Sequence, residues 1–279
     1  MSTVSERTSI LREFATNDDL RQRIFDAMER FNGSAGGTSR ALSRFEDPEL
    51  LGPTCDVVAE GTRGQATLVH IQQPDTEHVV ELCGVLVDSK LPPWFSTNRL
   101  LDGLPKKTGI PLSYADIAFF DHSSLNSTLA ALENIRKIFM CKQGDIDALK
   151  YGECVNGGVV VRAQNRVACP PKDLQAGIVD LGDPGKDIDP QGIFRKQILK
   201  SRGLCYTSEN EVSFYRASNV TGAFGDMSWT KIPPREVRPG MVVNVQAVPV
   251  VIPTAKGTLK MALKLRSIMI ISDEALKVS

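Results

Sequence analysis

Residues 258–271 alternate with period two. Apolar Leu259, Met261, Leu263 and Leu265 are interleaved with Lys260, Ala262, Lys264 and Arg266. Successive side chains of a strand point to opposite faces, so this run reads as a strand with one buried and one cationic face. A second β-rich run, residues 241–252, is opened by the turn pair Pro239-Gly240. Ala255-Lys256-Gly257 lies between the two runs. They therefore read as an antiparallel hairpin, its turn near Lys256-Gly257, burying the four apolar residues and exposing Lys260, Lys264 and Arg266. Such a pair could present a β-barrel face to a polyanion. The cations could equally be a solvated face that blocks edge-to-edge aggregation.

A wider pattern surrounds this hairpin. Trp229, Ile232, Pro234, Val237, Gly240, Val242, Val243, Val245 and Gln246 lead into Val248, Ile252, Pro253, Lys256 and Gly257. Lys260, Met261, Leu265, Arg266, Ser267 and Ile268 follow. The pattern resembles the closing hairpin of proteins from mushroom-type fungal genomes. More loosely, it is similar to the last strands of poxvirus single-stranded-DNA-binding proteins, which have an OB-type core. It is confined to residues 229–273 and holds no catalytic signature. The resemblance implies an OB-like nucleic-acid-binding fold.

With 42% hydrophobic and 24% charged residues, the 279-residue chain can bury a sizeable core. No apolar run reaches the length of a membrane span, and residues 1–7 lack the apolar core of a secretory signal. Cys55, Cys83, Cys141, Cys154, Cys169 and Cys205 are scattered without a C-x-x-C pair. Reduced thiols and an intracellular setting, cytoplasmic or nuclear, are expected. Net charge is zero, but residues 195–266 hold twelve Lys/Arg against four Asp/Glu, a surplus of eight that the rest of the chain must offset. That asymmetry is expected if one face meets a polyanion.

Residues 8–31 read as helix, with Asn17 an N-cap ahead of Asp18 and Asp19 and with Leu20, Ile24, Phe25, Met28 and Phe31 on one face. Gly-rich residues 33–39 read as a flexible linker. The chain thus divides into a helical arm with its linker, 1–38, and a β-rich core, 39–279. The arm could pack on the core, pair with another copy or move independently. Strands are expected over 56–60, 65–72, 78–88 and 159–164, and a helix over 127–142 with Gly144 beyond its end. Residues 94–121 give no readable pattern, and 170–190 read as a long loop. Residues 204–207 and 211–216 read as a hairpin around Ser208-Glu209-Asn210. The fold expected is β-rich α+β, an OB-like antiparallel barrel with an N-terminal helical arm and an internal helix. Such a helix commonly lies between the third and fourth strands of an OB barrel.

Candidate chemistry is sparse. His70, His78 and His122 form no H-x-x-x-H or H-E-x-x-H pair, so no metal site is expected. Cys83, in an apolar strand, reads as a small core residue, although a Cys–His hydrolase assembled in space from Cys83 or another cysteine remains an alternative. Asn156-Gly157-Gly158 precedes a strand, the wrong order for a dinucleotide turn, and no cofactor is expected. OB-type binders combine cations with aromatic platforms. The candidate residues are Arg202, Phe214, Tyr215, Arg216, Trp229, Lys231, Lys256, Lys260, Lys264 and Arg266. Of the adjacent rings Phe214 and Tyr215, one must face the core. The function expected is non-catalytic binding of single-stranded nucleic acid. The alternative is self-assembly as a structural or interaction protein of viral capsid or matrix type, with the arm a means to a homo-oligomer.

Overall fold

The computed structural model describes residues 4–32, 40–60, 65–96, 100–101, 110–120, 122–153, 158–171, 178–218 and 228–273. The linker expected over 33–39 lies outside the described residues. Asn17 organises the N-terminus. Its Oδ1 accepts the Leu20 N–H at 3.0 Å and so caps helix α2 (Asp18–Asn32), whose first turn holds Asp18 and Asp19. The single helix read over 8–31 is therefore two, α1 (Val4–Thr16) and α2, meeting at this cap. Leu11 and Phe14 of α1 join Leu20 and Ile24 of α2 against Val85, Val87, Ala118, Val160 and Val242. Of the three states open to the arm, the structure holds the packed one.

The strands are β1 (Cys55–Glu60), β2 (Gln65–His70), β3 (Gln73–Glu77), β4 (Val80–Lys90), β5 (Leu112–Phe119), β6 (Ile146–Asp147), β7 (Gly152–Glu153) and β8 (Val159–Arg166). They continue with β9 (Ser213–Ser218), β10 (Ser228–Lys231), β11 (Val242–Pro253) and β12 (Leu259–Ser272). β4, β5, β8, β12 and β11 close a five-strand ring, because β11 pairs both β4 and β12. In chain order, the ring runs first, second, third, fifth, fourth. Neighbours are antiparallel except β8 and β12, which run parallel at Leu263–Ala163 and Lys264–Gln164. The molecule is thus β-rich α+β with a closed OB-like barrel. β2 carries β1 and β3 outward from β11, and β9 carries β10 outward from β12.

Alternation fills the barrel. Leu82, Leu86, Ala115, Ile117, Val161, Ala163, Val243, Val245, Leu263 and Leu265 meet in its core, each worth roughly 1.5–3 kcal/mol when a large aliphatic side chain is fully buried. Gly84 permits the close approach of β4 to β5. A Cβ there would sit 2.6 Å from Ile117 Cγ2 and 2.8 Å from the Ala118 carbonyl oxygen. The carbonyl belongs to the ladder and cannot yield cheaply. Gly84→Ala should therefore cost about 1–3 kcal/mol through overpacking, read as a lower denaturant midpoint at unchanged slope.

Helix α3 (His122–Gln143) buries Leu132, Ile135 and Phe139 in the same core, and Gly144 follows at φ +83°. It lies between the second and third barrel strands, not the third and fourth. The strand missed in the unreadable stretch is β5. Ala115, Ile117 and Phe119 face the barrel core, while on the outer face Ala118 is covered by α1 and α2 and Asp116 is paired with Arg162, so all five residues are buried and period two is lost.

The hairpin expected over 204–216 does not form. The Cys205 backbone instead forms a β-bridge with that of Cys169, both thiols being free, and the Thr207 backbone one with that of Asp180, while β9 pairs with β12 and β10. Thr207 and Asn210 cap the turn Ser208–Asn210 reciprocally, with Thr207 N–H reaching Asn210 Oδ1 at 3.1 Å. A capping box starts a helical turn and carries the chain onward. The loop read over 170–190 includes Asp189, whose carboxylate accepts the Phe194 and Arg195 N–H groups at 3.0 and 2.9 Å. It caps a helical segment that brings Phe194 and Ile198 onto Trp94 and Tyr206, forming a second, smaller core.

Candidate nucleic-acid interface

β11 and β12 form the hairpin expected, in register from Val242–Ser272 to Pro253–Leu259. Gly257 at φ +80° lies in the intervening turn, where a residue without Cβ is favoured. Met261, Leu263 and Leu265 are buried and Leu259 is half-buried against the core. A bulge sets Gln246 opposite Ser267 and Ala247 opposite Leu265, leaving Arg266 without a register partner.

The outer cations depart from the expected exposure. The Lys264 and Arg266 side chains are only 21% and 17% exposed. Arg266 Nε donates to Glu77 Oε2 at 2.7 Å and its Nη2 to Glu209 Oε2 at 2.8 Å. Lys264 Nζ lies 3.2 Å from Glu77 Oε1 and also contacts Glu209. Glu77 ends β3 and Glu209 sits in the capped turn after Thr207; both reach the β12 face from distant parts of the chain. Burial pushes the Glu209 carboxyl up, but Lys264 and Arg266 outweigh it and hold the group below its usual range.

The other candidates divide. Phe214 is buried in the barrel core and cannot stack a base. Tyr215 is half-buried and pairs across the ladder with exposed Lys231. Arg216 lies 3.3 Å from Glu236 and 3.4 Å from Asp273. Trp229 is half-buried, its ring edge-on to Phe31 of α2 with centroids 6.1 Å apart. Lys256 is exposed in the hairpin turn and Lys260 half-buried; neither makes an ion pair among the described residues. Arg202 ends the helical segment 193–202, outside the strands that carry the rest. Tyr215 pairs with Met269 of β12, nine residues beyond Lys260 and hence roughly 30 Å along the strand. Lys256, Lys260, Lys264, Arg266, Tyr215 and Lys231 thus form a track along one face, with ion-paired cations between lysines that make no ion pair among the described residues; Phe214, Arg216 and Arg202 lie off it.

A further cluster went unread in the sequence. On the outer face of β5 and β8, Arg162 makes a fork to Asp116 at 2.6 and 2.8 Å. Its guanidinium lies 3.9 Å over the Tyr114 ring, and Tyr114 O–H donates to Asp88 at 3.2 Å. Burial, then the Asp88 charge, pushes the Tyr114 hydroxyl up to about 12. Its partners sit on three different strands, so spacing along one of them gives no signal.

Cys83 is not a core residue as read. It faces outward beside Glu81, and burial and then that carboxylate push its thiol up to about 12, which suppresses the nucleophilic thiolate. His70 and His78 contact each other through Nδ1, 3.3 Å apart; the His122 side chain lies outside the described residues. Among the described residues no group of three or more His, Cys, Asp or Glu could hold a metal, and no helix is long and apolar enough to cross a membrane.

Burial, reinforced by His70 and Arg40, lowers the His78 imidazole to about 4 from an ordinary 6.5. The unfolded chain therefore binds a proton that the folded state refuses between those values. Stability should be full above pH 6.5 and decline as pH falls toward 4. His78→Phe should flatten melting temperature against pH across that window.

Comparisons with family models, with curated proteins and with solved structures give no match. The functional argument therefore stands on the barrel and its side chains.

Proposed function

We propose that the protein binds single-stranded nucleic acid, without catalysis or cofactor, along the outer face of β9, β10 and β12. The observation that carries this reading is the row Lys260, Lys264 and Arg266 on the outer side of β12 in an OB-like barrel, continued by Lys256 in the hairpin turn. Lys256 and Lys260 would meet phosphates at one end of the track and Lys231 at the other. Tyr215, beside Lys231, is the ring placed to stack a base. Glu77 and Glu209 hold Lys264 and Arg266 in place and compete with phosphate for them. The reading accords with the resemblance to poxvirus single-stranded-DNA-binding proteins. It predicts modest, strongly salt-dependent affinity with little sequence preference. Wild-type protein should retard labelled dT and U oligomers at low salt; failure to bind either overturns the reading.

A second reading, self-assembly, draws on the two ends of the sheet. β1 and β10 each have one edge without a strand partner among the described residues, and an open edge can pair with another chain. Light scattering without nucleic acid separates the two: a small species favours the binder, large oligomers the assembly protein.

A further inference from the structure

Glu81 lies on the outer side of β4 and is 8% exposed. Its carboxylate accepts the Asn244 Nδ2–H at 3.0 Å and the Gln246 Nε2–H at 2.9 Å. Ser267 Oγ donates in turn to Gln246 Oε1 at 2.8 Å. The hydrogen-bond partners of this buried carboxylate are thus neutral amides. Asn244 must turn its Nδ2 toward the carboxylate, which leaves its Oδ1 as the remaining acceptor of the same amide. Asn244 is fully buried and its Oδ1 has no hydrogen-bond partner among the described residues. Both residues line a cavity of about 60 Å³, as do Ser43 and Thr128.

We propose that this cavity binds a monovalent cation, K⁺, Na⁺ or ammonium, between the Glu81 carboxylate and Asn244 Oδ1. A water molecule would satisfy Oδ1 yet leave the Glu81 carboxylate with only neutral amide partners among the described residues, and buried carboxylates are ordinarily paired with a cation. One carboxylate matches one positive charge, and carboxylate and amide oxygens suit a hard cation. The volume admits an ion with a water or two and excludes a nucleotide or peptide. Met28 and Phe31 of α2, Ser43, Thr128 of α3, Glu81 of β4 and Asn244 of β11 all border the cavity. The ion would therefore brace the helical arm against the barrel. The site adjoins the proposed nucleic-acid face, since Phe31 packs on Trp229 of β10 and Gln246 accepts a hydrogen bond from Ser267 of β12.

The test is thermal melting of the full chain in KCl, NaCl, NH₄Cl or N-methyl-D-glucamine chloride at equal ionic strength. At least one small cation should raise the melting temperature saturably, by roughly 5 °C, and Glu81→Gln should abolish the difference. No cation-specific rise in the wild type, or a full rise retained in the variant, overturns the proposal. Should Glu81→Gln fail to fold, wild-type crystals in RbCl decide by anomalous scattering. A rubidium peak between Glu81 and Asn244 supports the site, and a water without anomalous signal there overturns it.

Discussion

Lys264→Gln combined with Arg266→Gln is expected to destabilise the fold by about 2–4 kcal/mol. Exposed charges normally change stability by only about half a kcal/mol, but these two side chains are 21% and 17% exposed and face Glu77 and Glu209. Removing the cations leaves two largely covered carboxylates without counter-charge, a larger penalty than the pairs' net contribution to stability. The estimate lies below that for a dry interior because Glu77 and Glu209 keep 27% and 35% exposure. Adding Glu77→Gln and Glu209→Gln should recover most of the loss. Urea denaturation of the wild type, the double and the quadruple variant measures both steps. Equal stability of all three would mean that the cluster is solvated and uncoupled.

Phe214→Ala should cost about 3–5 kcal/mol, the usual price of emptying an aromatic site in a packed core. The ring is 3% exposed among the barrel residues. Tyr215→Ala, one residue on, should leave stability nearly unchanged and weaken oligo-dT binding by about 1–3 kcal/mol if the ring stacks a base. The pair separates core from surface on a single strand. Loss of binding in Tyr215→Ala with an equal loss of stability would place that ring in the core as well.

The hairpin that closes the barrel was readable because one face of β12 is buried and the other is not, so alternation survives in Leu259 to Leu265. Asn17 was readable because capping is local chemistry. β5 was not, because helices from the N-terminus cover the outside of Ala118 and erase the period. The barrel's closure through β8 and β12 joins residues about a hundred positions apart, beyond any spacing rule. The site followed the same division. The outward direction of Lys260, Lys264 and Arg266 was legible from the strand itself. Their ion pairs were not, since Glu77 and Glu209 arrive from other segments. The choice between Phe214 and Tyr215 also waited on knowing which face of β9 meets the barrel.

The central claim is that free lysines at the two ends of the β9–β12 face contact phosphates. Its most direct test is the salt dependence of dT-oligomer binding by fluorescence anisotropy, for the wild type and for Lys231→Gln/Lys256→Gln/Lys260→Gln. Lys231 and Lys256 are exposed, Lys260 is half-buried, and none makes an ion pair among the described residues, so the variant should fold normally. The account predicts a log K that falls linearly with log salt, with a slope flatter in the variant by about 0.7 per lost phosphate contact, or roughly 2 in all. An unchanged slope and affinity, or no wild-type binding at low salt, would contradict it.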